Sequence, residues 1–206
     1  EDTRLWLKFI RIAGEGISMN LLTFWKPNNI IIGDACEHGL GAFNTKGRGF
    51  SWMIPDHLRG RAHINLLEFI TQVIQIWVDI LEGRIKEVDF ILAMGDNTSS
   101  MGWLRRSNFT DDDPVQLAVA RELATTLIQK DCCLYSQWFP GTDNIVPDSL
   151  SRDHHLSDSS LLTLLQSACP TQVPKDFVIR QIPPALVSTM TTWLHNLPAY
   201  KLSPKV

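Results

Sequence analysis

Short apolar runs in the middle of the chain alternate with segments that have a helical repeat. Residues 30–32 (III), 88–94 (VDFILAM) and 134–139 (LYSQWF) are rich in β-branched, aliphatic and aromatic side chains, and a glycine or a proline follows each run. Runs of this length and composition are typical of buried strands. A glycine-punctuated stretch predicts two further strands, near 41–44 and 49–53. The pattern therefore predicts about five strands.

The segment 64–81 (INLLEFITQVIQIWVDIL) has the clearest helical repeat. Its apolar residues recur every three or four positions, which places them on one face of a helix. Shorter helices are predicted at 98–106 and 144–150, and another helix runs from the cluster 111–114 (DDDP) to about Gln129. Because strands alternate with helices, we expect an α/β domain whose sheet is at least partly parallel.

The two ends of the chain differ in composition from this centre. Residues 1–28 contain one apolar-periodic segment, which the breaker cluster KPNN separates from the first strand. After Asp153, serine, threonine and proline dominate, and only weak helices are predicted, including one at 185–197. We therefore divide the chain into an N-terminal segment 1–28, a domain 29–152, and a C-terminal extension or linker 153–206.

Composition and charge exclude several classes of protein. The 206 residues are 44% hydrophobic and 20% charged, which is ordinary for a folded globular protein and excludes wholesale disorder. The net charge of −3 argues against a purely electrostatic nucleic-acid binder. It is compatible with a nucleic-acid enzyme whose acidic site is neutralised by metal. No run of apolar residues is long enough to predict a membrane span.

The cysteines and the N-terminus bear on where the protein works. The four cysteines form no C-x-x-C pair, and reduced thiols are the default in a chain of this size. The N-terminus EDTRLWLKF has neither a signal-peptide pattern nor a Met. We therefore expect a piece of a longer intracellular protein of the nucleus or cytoplasm, which is not secreted.

Four carboxylates stand at related places in this pattern. Asp34 follows the first strand, and Asp96 follows the strand at 88–94. Glu68 lies in the first turns of the long helix, and Asp148 lies in the short helix after the last strand. Sites in open α/β sheets form at the carboxyl ends of strands, so Asp34 and Asp96 share such an edge if their strands are parallel neighbours. Glu68 and Asp148 could then reach in from helix starts. Taken singly, an Asp after a strand is more often a turn or cap residue, and a Glu on a polar helix face is usually just solvated.

A cluster of these acids would need neutralisation. Two like charges about 4 Å apart repel by roughly 4 kcal/mol at an effective dielectric near 20. Oxygen ligands of this kind suit Mg²⁺ or Mn²⁺. Two such ions about 3.5–4 Å apart form the clamp used for phosphoryl displacement.

Four motifs carry a resemblance to a known family. They are IIIGDACEHGLGAF at 30–43, INLLEF at 64–69, MGDNTSSMGWL at 94–104 and WFPGTDNIVPDSLSR at 138–152. In this order and spacing they resemble the ribonuclease H (RNase H) domain of retroelement reverse transcriptases. The motif sequences most resemble those of the DIRS-type elements, which are tyrosine-recombinase retrotransposons.

The resemblance implies a fold, a reaction and a set of ligands. The fold would be RNase H-like, with a mixed, roughly five-stranded sheet flanked by helices. The enzyme would be an endonuclease that cuts the RNA strand of an RNA–DNA hybrid with two Mg²⁺ or Mn²⁺ ions. The metal-binding and catalytic acids would be Asp34, Glu68, Asp96 and Asp148, with Asp34 shared by both ions.

The resemblance also implies neighbours in a longer polyprotein. In the family such domains follow a polymerase, so residues 1–28 would be the tail of its thumb or connection. The segment 153–206 would lead towards a recombinase or another downstream unit.

This sequence departs from the family pattern at two places. Many RNase H enzymes carry a His in the loop before the last acid, but the loop 137–147 has none. His154 and His155 come after that acid, and we expect them to be solvated. Pro147 stands where the family usually has Ala. It is tolerated in a first helical turn, whereas deeper in the helix it would shift Asp148.

Substrate contacts in such an enzyme go to phosphates, 2′-hydroxyls and groove shape rather than to base sequence. Side chains that suit these contacts occur near each motif. The candidates are Arg59, Arg61, Asn65, Asn97, Ser99, Arg105, Arg106 and Arg152. By their context, Trp52, Trp77, Trp103 and Trp138 are expected to lie mostly in the core.

Two other functions remain open at this point. The first is an inactive RNase H-fold scaffold that binds nucleic acid or supports the polymerase. The second is a DNA-cutting enzyme of the same fold, such as a transposase or integrase, although Glu68 and the DSLSR ending favour a ribonuclease. A recombinase is disfavoured because Tyr135 and Tyr200 are the only tyrosines and no Arg/His/Tyr constellation accompanies them.

Overall fold

The apolar runs of the sequence form the strands of one mixed sheet in the computed structural model, which describes residues 2–14, 25–106 and 114–197. The strands are β1 Asn29–Cys36, β2 Gly39–Asn44, β3 Arg48–Met53, β4 Phe90–Gly95, β5 Cys133–Trp138 and β6 Val178–Arg180. Their order across the sheet is β5-β4-β1-β2-β3-β6. The hairpin pairs β1–β2 and β2–β3 are antiparallel, and the crossover pairs β1–β4, β4–β5 and β3–β6 are parallel.

Seven α-helices accompany the sheet in the described residues. They are α1 Asp2–Gly14, α2 Ile64–Leu81, α3 Thr98–Arg106, α4 Pro114–Gln129, α5 Ile145–Arg152, α6 Asp158–Ala168 and α7 Pro184–Asn196. The bounds of α2 are those that its apolar repeat predicts. The acidic cap expected for α4 at 111–113 lies outside the described residues.

The strands alternate their side chains between two cores, one on each face of the sheet. Ile31 of β1 and Ala42 of β2 pack into the larger core beneath α2. Their chain neighbours, Ile32 and Phe43, contact the smaller core beneath α5 and α6. This period of two explains why β1 has a continuous apolar run, since both of its faces are covered. The result is the mixed α/β sheet flanked by helices that the sequence predicts.

Helix α2 is the central element of the larger core. It is long and apolar enough to pass for a membrane span, with a mean hydropathy of 1.4, but 72% of it is buried inside the fold. That is the burial of a core helix, packed against β1 and β2.

The sheet has six strands rather than about five. The additional strand β6 comes from the segment after Asp153, where the sequence predicts only weak helices. Strand β6 pairs with β3, and the helices on either side of it bury side chains in both cores. Met190 and Leu194 of α7 lie in the larger core, and Leu165 of α6 lies in the smaller one. A strand of three residues has too little alternation to be recognised from the sequence.

Candidate active site

Three of the four predicted acids converge at one edge of the sheet. Carboxylate oxygens of Asp34, Glu68 and Asp96 lie within 4.8 Å of one another. Asp34 is in β1, Asp96 directly follows the parallel neighbour β4, and Glu68 projects from α2, which packs on β1. The carboxyl ends of the adjacent parallel strands β1 and β4 therefore bring Asp34 and Asp96 together, and α2 adds Glu68.

The cluster is buried and carries an unfavourable concentration of charge. Glu68 is 3% exposed and Asp34 is 4% exposed. Burial, together with the neighbouring carboxylates, raises the pKa of Glu68 to about 9 and that of Asp34 to about 6. At neutral pH the cation-free cluster therefore retains a proton on Glu68. A divalent cation would release that proton and neutralise the remaining charge.

Two side chains hold Asp34 in place, one from the N-cap of α5 and one from its last turn. Asn144 Nδ2 donates to Asp34 Oδ1 at 3.1 Å, and Ser151 Oγ donates to Oδ2 at 2.7 Å. The hydrogen bond from Ser151 lowers the pKa of Asp34, against the effect of burial. Sequence reasoning did not identify either residue. The available signal was their position in the closing motif, where they flank Asp148.

Glycines of β2 allow α5 to approach the sheet this closely. A Cβ on Gly41 would lie 2.4 Å from the backbone nitrogen of Ser151, and one on Gly39 would lie 2.4 Å from its carbonyl oxygen. Larger residues at these positions would push the end of α5 away from the sheet. The glycines of the first motif thus serve the contact between Ser151 and Asp34, which is the register partner of Gly41 on β2.

Asp148 lies beside the three clustered carboxylates and forms an ion pair with Arg152 of the same helix. Its side chain is 48% exposed, and its charge contributes to raising the pKa of Asp34. Pro147 does not disturb the helix, because it occupies the first turn, where no backbone N–H donor is required. The next amide, of Asp148, donates to Asn144 O at 3.0 Å as in a regular helix.

Two residues at the end of β5 and in the turn that follows it lie against Asp96. The indole Nε1 of Trp138 donates to the backbone carbonyl of Asp96 at 2.8 Å. Gly141 leaves room for the carboxylate, since a Cβ there would lie 2.6 Å from Asp96 Oδ2. The expectation that Trp138 is in the core is wrong, because it ends the edge strand β5 and is 49% exposed.

The predicted substrate-binding residues fall into two groups. Asn97 directly follows Asp96, and Asn65 lies three residues before Glu68 on α2. The two side chains bond to each other, with Asn97 Nδ2 donating to Asn65 Oδ1 at 2.8 Å. Ser99 is half-buried in the first turn of α3, and Arg105 is exposed near its end. The side chain of Arg106 lies outside the described residues.

The remaining arginines are bonded within the protein. Arg59 pairs with Asp56 at 2.7 Å and also donates to a backbone carbonyl, while Arg61 donates to His195 O at 2.9 Å. Arg152, paired with Asp148, is exposed and borders the acids. Arg61 therefore ties α7 to the loop before α2.

The expectation for His154 is wrong. Its ring is half-buried, and Nδ1 lies 3.1 Å from the hydroxyl of Ser51. Burial lowers the pKa of His154. The ring can approach the sheet because Gly39, directly beneath it, has no side chain. His155 is exposed, as expected.

The donor set suits a hard divalent cation. Carboxylate oxygens are the preferred ligands of Mg²⁺ and Mn²⁺. One of them, Glu68 Oε2, is buried without a hydrogen-bond partner among the described residues. A buried acceptor of this kind is costly unless a proton or a cation satisfies it. The three clustered residues therefore fit a metal site.

Comparisons with known proteins gave matches only among solved structures. No family model matches the chain, and no curated protein matches it. One similar structure is LC11-RNase H1, isolated from compost by a metagenomic approach, with 19% identity and a TM-score of 0.49 over 64% of this chain and 100% of that chain.

Two further structures are similar at lower TM-scores. RNase H1 of the halophilic archaeon Halobacterium salinarum has 18% identity and a TM-score of 0.42 over 61% of this chain and 93% of its own. The N-terminal RNase H domain of a Mycobacterium tuberculosis protein was solved as a fusion with maltose-binding protein. It has 16% identity and a TM-score of 0.44 over 61% of this chain and 96% of its own. These are similarities of backbone fold at low identity.

Proposed function

We propose that this chain is an RNase H-type endonuclease that hydrolyses the RNA strand of an RNA–DNA hybrid with two Mg²⁺ or Mn²⁺ ions. The observation that carries the proposal is the convergence of Asp34, Glu68 and Asp96 from three separate elements. Burial of like charges costs folding energy, so such a cluster is best explained by cations that neutralise it.

Asp34 and Asp148 have distinct roles in the proposed site. Asp34 interacts with the charges of the other three acids and would be shared by both ions. Its hydrogen bonds to Asn144 and Ser151 occupy one lone pair on each oxygen and leave the other lone pairs for cations. Asp148 would complete the set after its release from Arg152. Bound cations supply the charge that activates water and stabilises the leaving oxygen in phosphodiester hydrolysis.

Recognition of the hybrid would use the polar rim of the cluster. Asn65 and Asn97 present amide groups beside Glu68 and Asp96, where they suit hydrogen bonds to sugar hydroxyls. The exposed Arg105 suits a phosphate. This set provides sequence-independent contacts, in keeping with a nuclease that reads the shape of a hybrid.

The four motifs also support a biological context. We propose that the chain is part of a retroelement reverse-transcriptase polyprotein of the DIRS type. A polymerase would precede it, a recombinase would follow it, and the polyprotein would act inside the cell. The order of the motifs from 30–43 to 138–152 carries this part of the proposal.

One observation favours a second candidate, an inactive scaffold. Asp148 is engaged with Arg152 and lies outside the group of three clustered carboxylates. If this pair does not open, only three ligands are available and the domain would bind a hybrid without cutting it.

The deciding experiment is cleavage of a labelled RNA–DNA hybrid with Mg²⁺ or Mn²⁺ by the wild type and by Asp96→Asn. Asp56→Asn is the matched control, because that carboxylate is exposed and pairs only with Arg59 among the described residues. The proposal expects cleavage that requires metal and is lost only in Asp96→Asn. Cleavage of duplex DNA instead would indicate the transposase-like alternative. Binding of hybrid without cleavage in either metal would indicate the scaffold.

A further inference from the structure

Strands β1 and β4 separate at the point where the clustered acids begin. Their parallel pairing runs from Asn29↔Ile91 to Ile32↔Met94 and ends there. Asp34 and Asp96 each lie two residues beyond this last pair. Beyond Ile32 and Met94 the strand pairing no longer sets the distance between the two acids.

The side-chain amide of Gln72 bridges this gap. Its Nε2 donates to Gly33 O at 3.2 Å and to Met94 O at 2.9 Å, one carbonyl on each strand. Gln72 is completely buried and lies one helical turn after Glu68 on α2. A single helix thus provides both the third acid and the connection between the strands that carry the other two.

Two glycines make room for this amide. A Cβ on Gly33 would lie 3.0 Å from Gln72 Nε2, and one on Gly95 would lie 3.2 Å from it. Both distances are tighter than ordinary van der Waals contact, so a larger residue would displace the amide. The glycine before Asp34, the glycine before Asp96 and Gln72 therefore form one structural unit.

We propose that Gln72 is a positioning residue, which sets the separation of Asp34 and Asp96 relative to Glu68 and so determines the affinity of the cluster for divalent cations. The inference rests on the proposed function, in that the cluster binds Mg²⁺ or Mn²⁺. The clustered carboxylates repel one another, so strand ends without this connection would move apart. Residues that orient metal ligands typically contribute about 10–100-fold to metal affinity.

The test measures the Mg²⁺ and Mn²⁺ affinities of substrate-free protein by calorimetry, with hybrid cleavage as a function of metal concentration alongside. Gln72→Met keeps the length of the side chain and removes both donors. We expect a loss of about tenfold or more in metal affinity, with cleavage largely restored at saturating metal. Gln72→Asn keeps the amide but is too short to reach both carbonyls, so it should lose affinity as well.

The control is Gln75→Met on the next turn of α2. Gln75 is equally buried, at 1% exposure, but it bonds to Asp79 away from the acids. It should lower stability without changing metal affinity, which separates positioning from a general effect on folding. Folded Gln72→Met and Gln72→Asn proteins with wild-type metal affinity would overturn the inference. A wild type that binds cations but never cuts the hybrid would instead overturn the proposed function. The role of Gln72 would still be tested by the metal affinities of its variants.

Discussion

The hydroxyl of Ser151 donates a hydrogen bond to Oδ2 of Asp34 at 2.7 Å, across 117 residues of sequence. The same hydroxyl lies 2.9 Å from the backbone carbonyl of Asp148, and its single proton serves one acceptor at a time. An ionised Asp34 is the stronger acceptor, because hydrogen bonds to a charged group are worth about twice those between neutral groups. Ser151 therefore favours the ionised form of Asp34, which is the form that binds a cation.

Ser151→Ala should shift the pH dependence of metal binding upwards. Burial raises the pKa of Asp34 to about 6, and the hydrogen bond from Ser151 lowers it. Without that bond, the pKa of Asp34 should rise further. Mg²⁺ affinity should rise with pH in two steps, a lower one set by Asp34 and an upper one set by Glu68. The midpoint of the lower step should move up by about one pH unit, as expected for a hydrogen bond to a charge. Titration of Mg²⁺ binding between pH 5 and 9 measures this shift.

Ser149→Ala is the matched control for this experiment. Ser149 lies on the same helix and is also buried, but its hydroxyl bonds to Asp153 instead. Its midpoint should equal that of the wild type. Coincident midpoints for all three proteins would contradict the role of Ser151.

Gly141→Ala should weaken metal binding with little effect on stability. The new methyl group would lie 2.6 Å from Asp96 Oδ2, so the carboxylate must turn away from its partners. We expect a loss of about tenfold in Mg²⁺ affinity, the lower end of what disturbed ligand orientation costs. Calorimetric titration with Mg²⁺ and thermal unfolding measure the two effects.

Gly102→Ala is the matched control for Gly141→Ala, because it adds the same methyl group where no other atom is close. A Cβ at Gly102 meets nothing within 4 Å, and the residue lies in helix α3. Alanine there should keep metal affinity unchanged and stabilise the protein by about 0.5–1 kcal/mol. Unchanged Mg²⁺ affinity in Gly141→Ala would show that the loop does not constrain Asp96.

Elements of this fold that depend on neighbouring residues are predictable from the sequence, and elements that depend on distant residues are not. The bounds of α2 follow from its apolar periodicity, and the existence of β1, β4 and β5 follows from short apolar runs. Both are local properties of the chain. Strand β6 depends on its pairing with β3, which lies more than a hundred residues away in the sequence. Its three residues are too few to show the alternation that predicts a strand.

The same distinction holds within the site. Asp34 and Asp96 were predictable neighbours because the ends of adjacent parallel strands meet at one edge. Gln72 and Ser151 contact the site through tertiary packing, and a buried polar residue on a helix has no periodic signature. Arg61 is predicted to contact substrate, but it donates to the backbone of α7 instead. That bond could not be foreseen, because the sequence indicates α7 only weakly.

Glu68→Gln should stabilise the cation-free protein, increasingly so as pH rises. In the folded chain the pKa of Glu68 is about 9, against an ordinary value of 4.5. Between these values the folded state holds a proton that the unfolded state has released, so the free energy of unfolding falls as pH increases. Glutamine mimics the protonated acid and removes this slope. We expect a gain of about 1–3 kcal/mol at pH 7.

Urea unfolding in EDTA at pH 5, 7 and 8.5 measures this gain. Asp56→Asn, with its exposed carboxylate, serves as the control and should follow the wild-type curve. Added Mg²⁺ should stabilise the wild type and not Glu68→Gln, because a ligand of the folded state stabilises only the protein that binds it. Parallel pH profiles for wild type and Glu68→Gln would show that Glu68 is not protonated in the fold.

Leu165→Ala should loosen α5 through the C-terminal segment. Leu165 of α6 is fully buried in the smaller core, where it joins Val146 and Leu150 of α5. Removing such a side chain costs about 2–5 kcal/mol through lost burial and the cavity that remains. Because α5 carries Asp148 and Ser151, the loss should also appear as faster hydrogen exchange at the α5 amide of Asp148.

The neighbouring residue of α6 offers a close control. Leu164 is 51% exposed, so Leu164→Ala should change the free energy of unfolding by no more than about 0.5 kcal/mol and leave exchange in α5 unchanged. Urea unfolding and amide exchange of both variants measure the difference. Equal small effects would mean that the segment after Asp153 does not support α5. A large effect confined to Leu165→Ala would place this segment within the folding unit that holds the fourth acid.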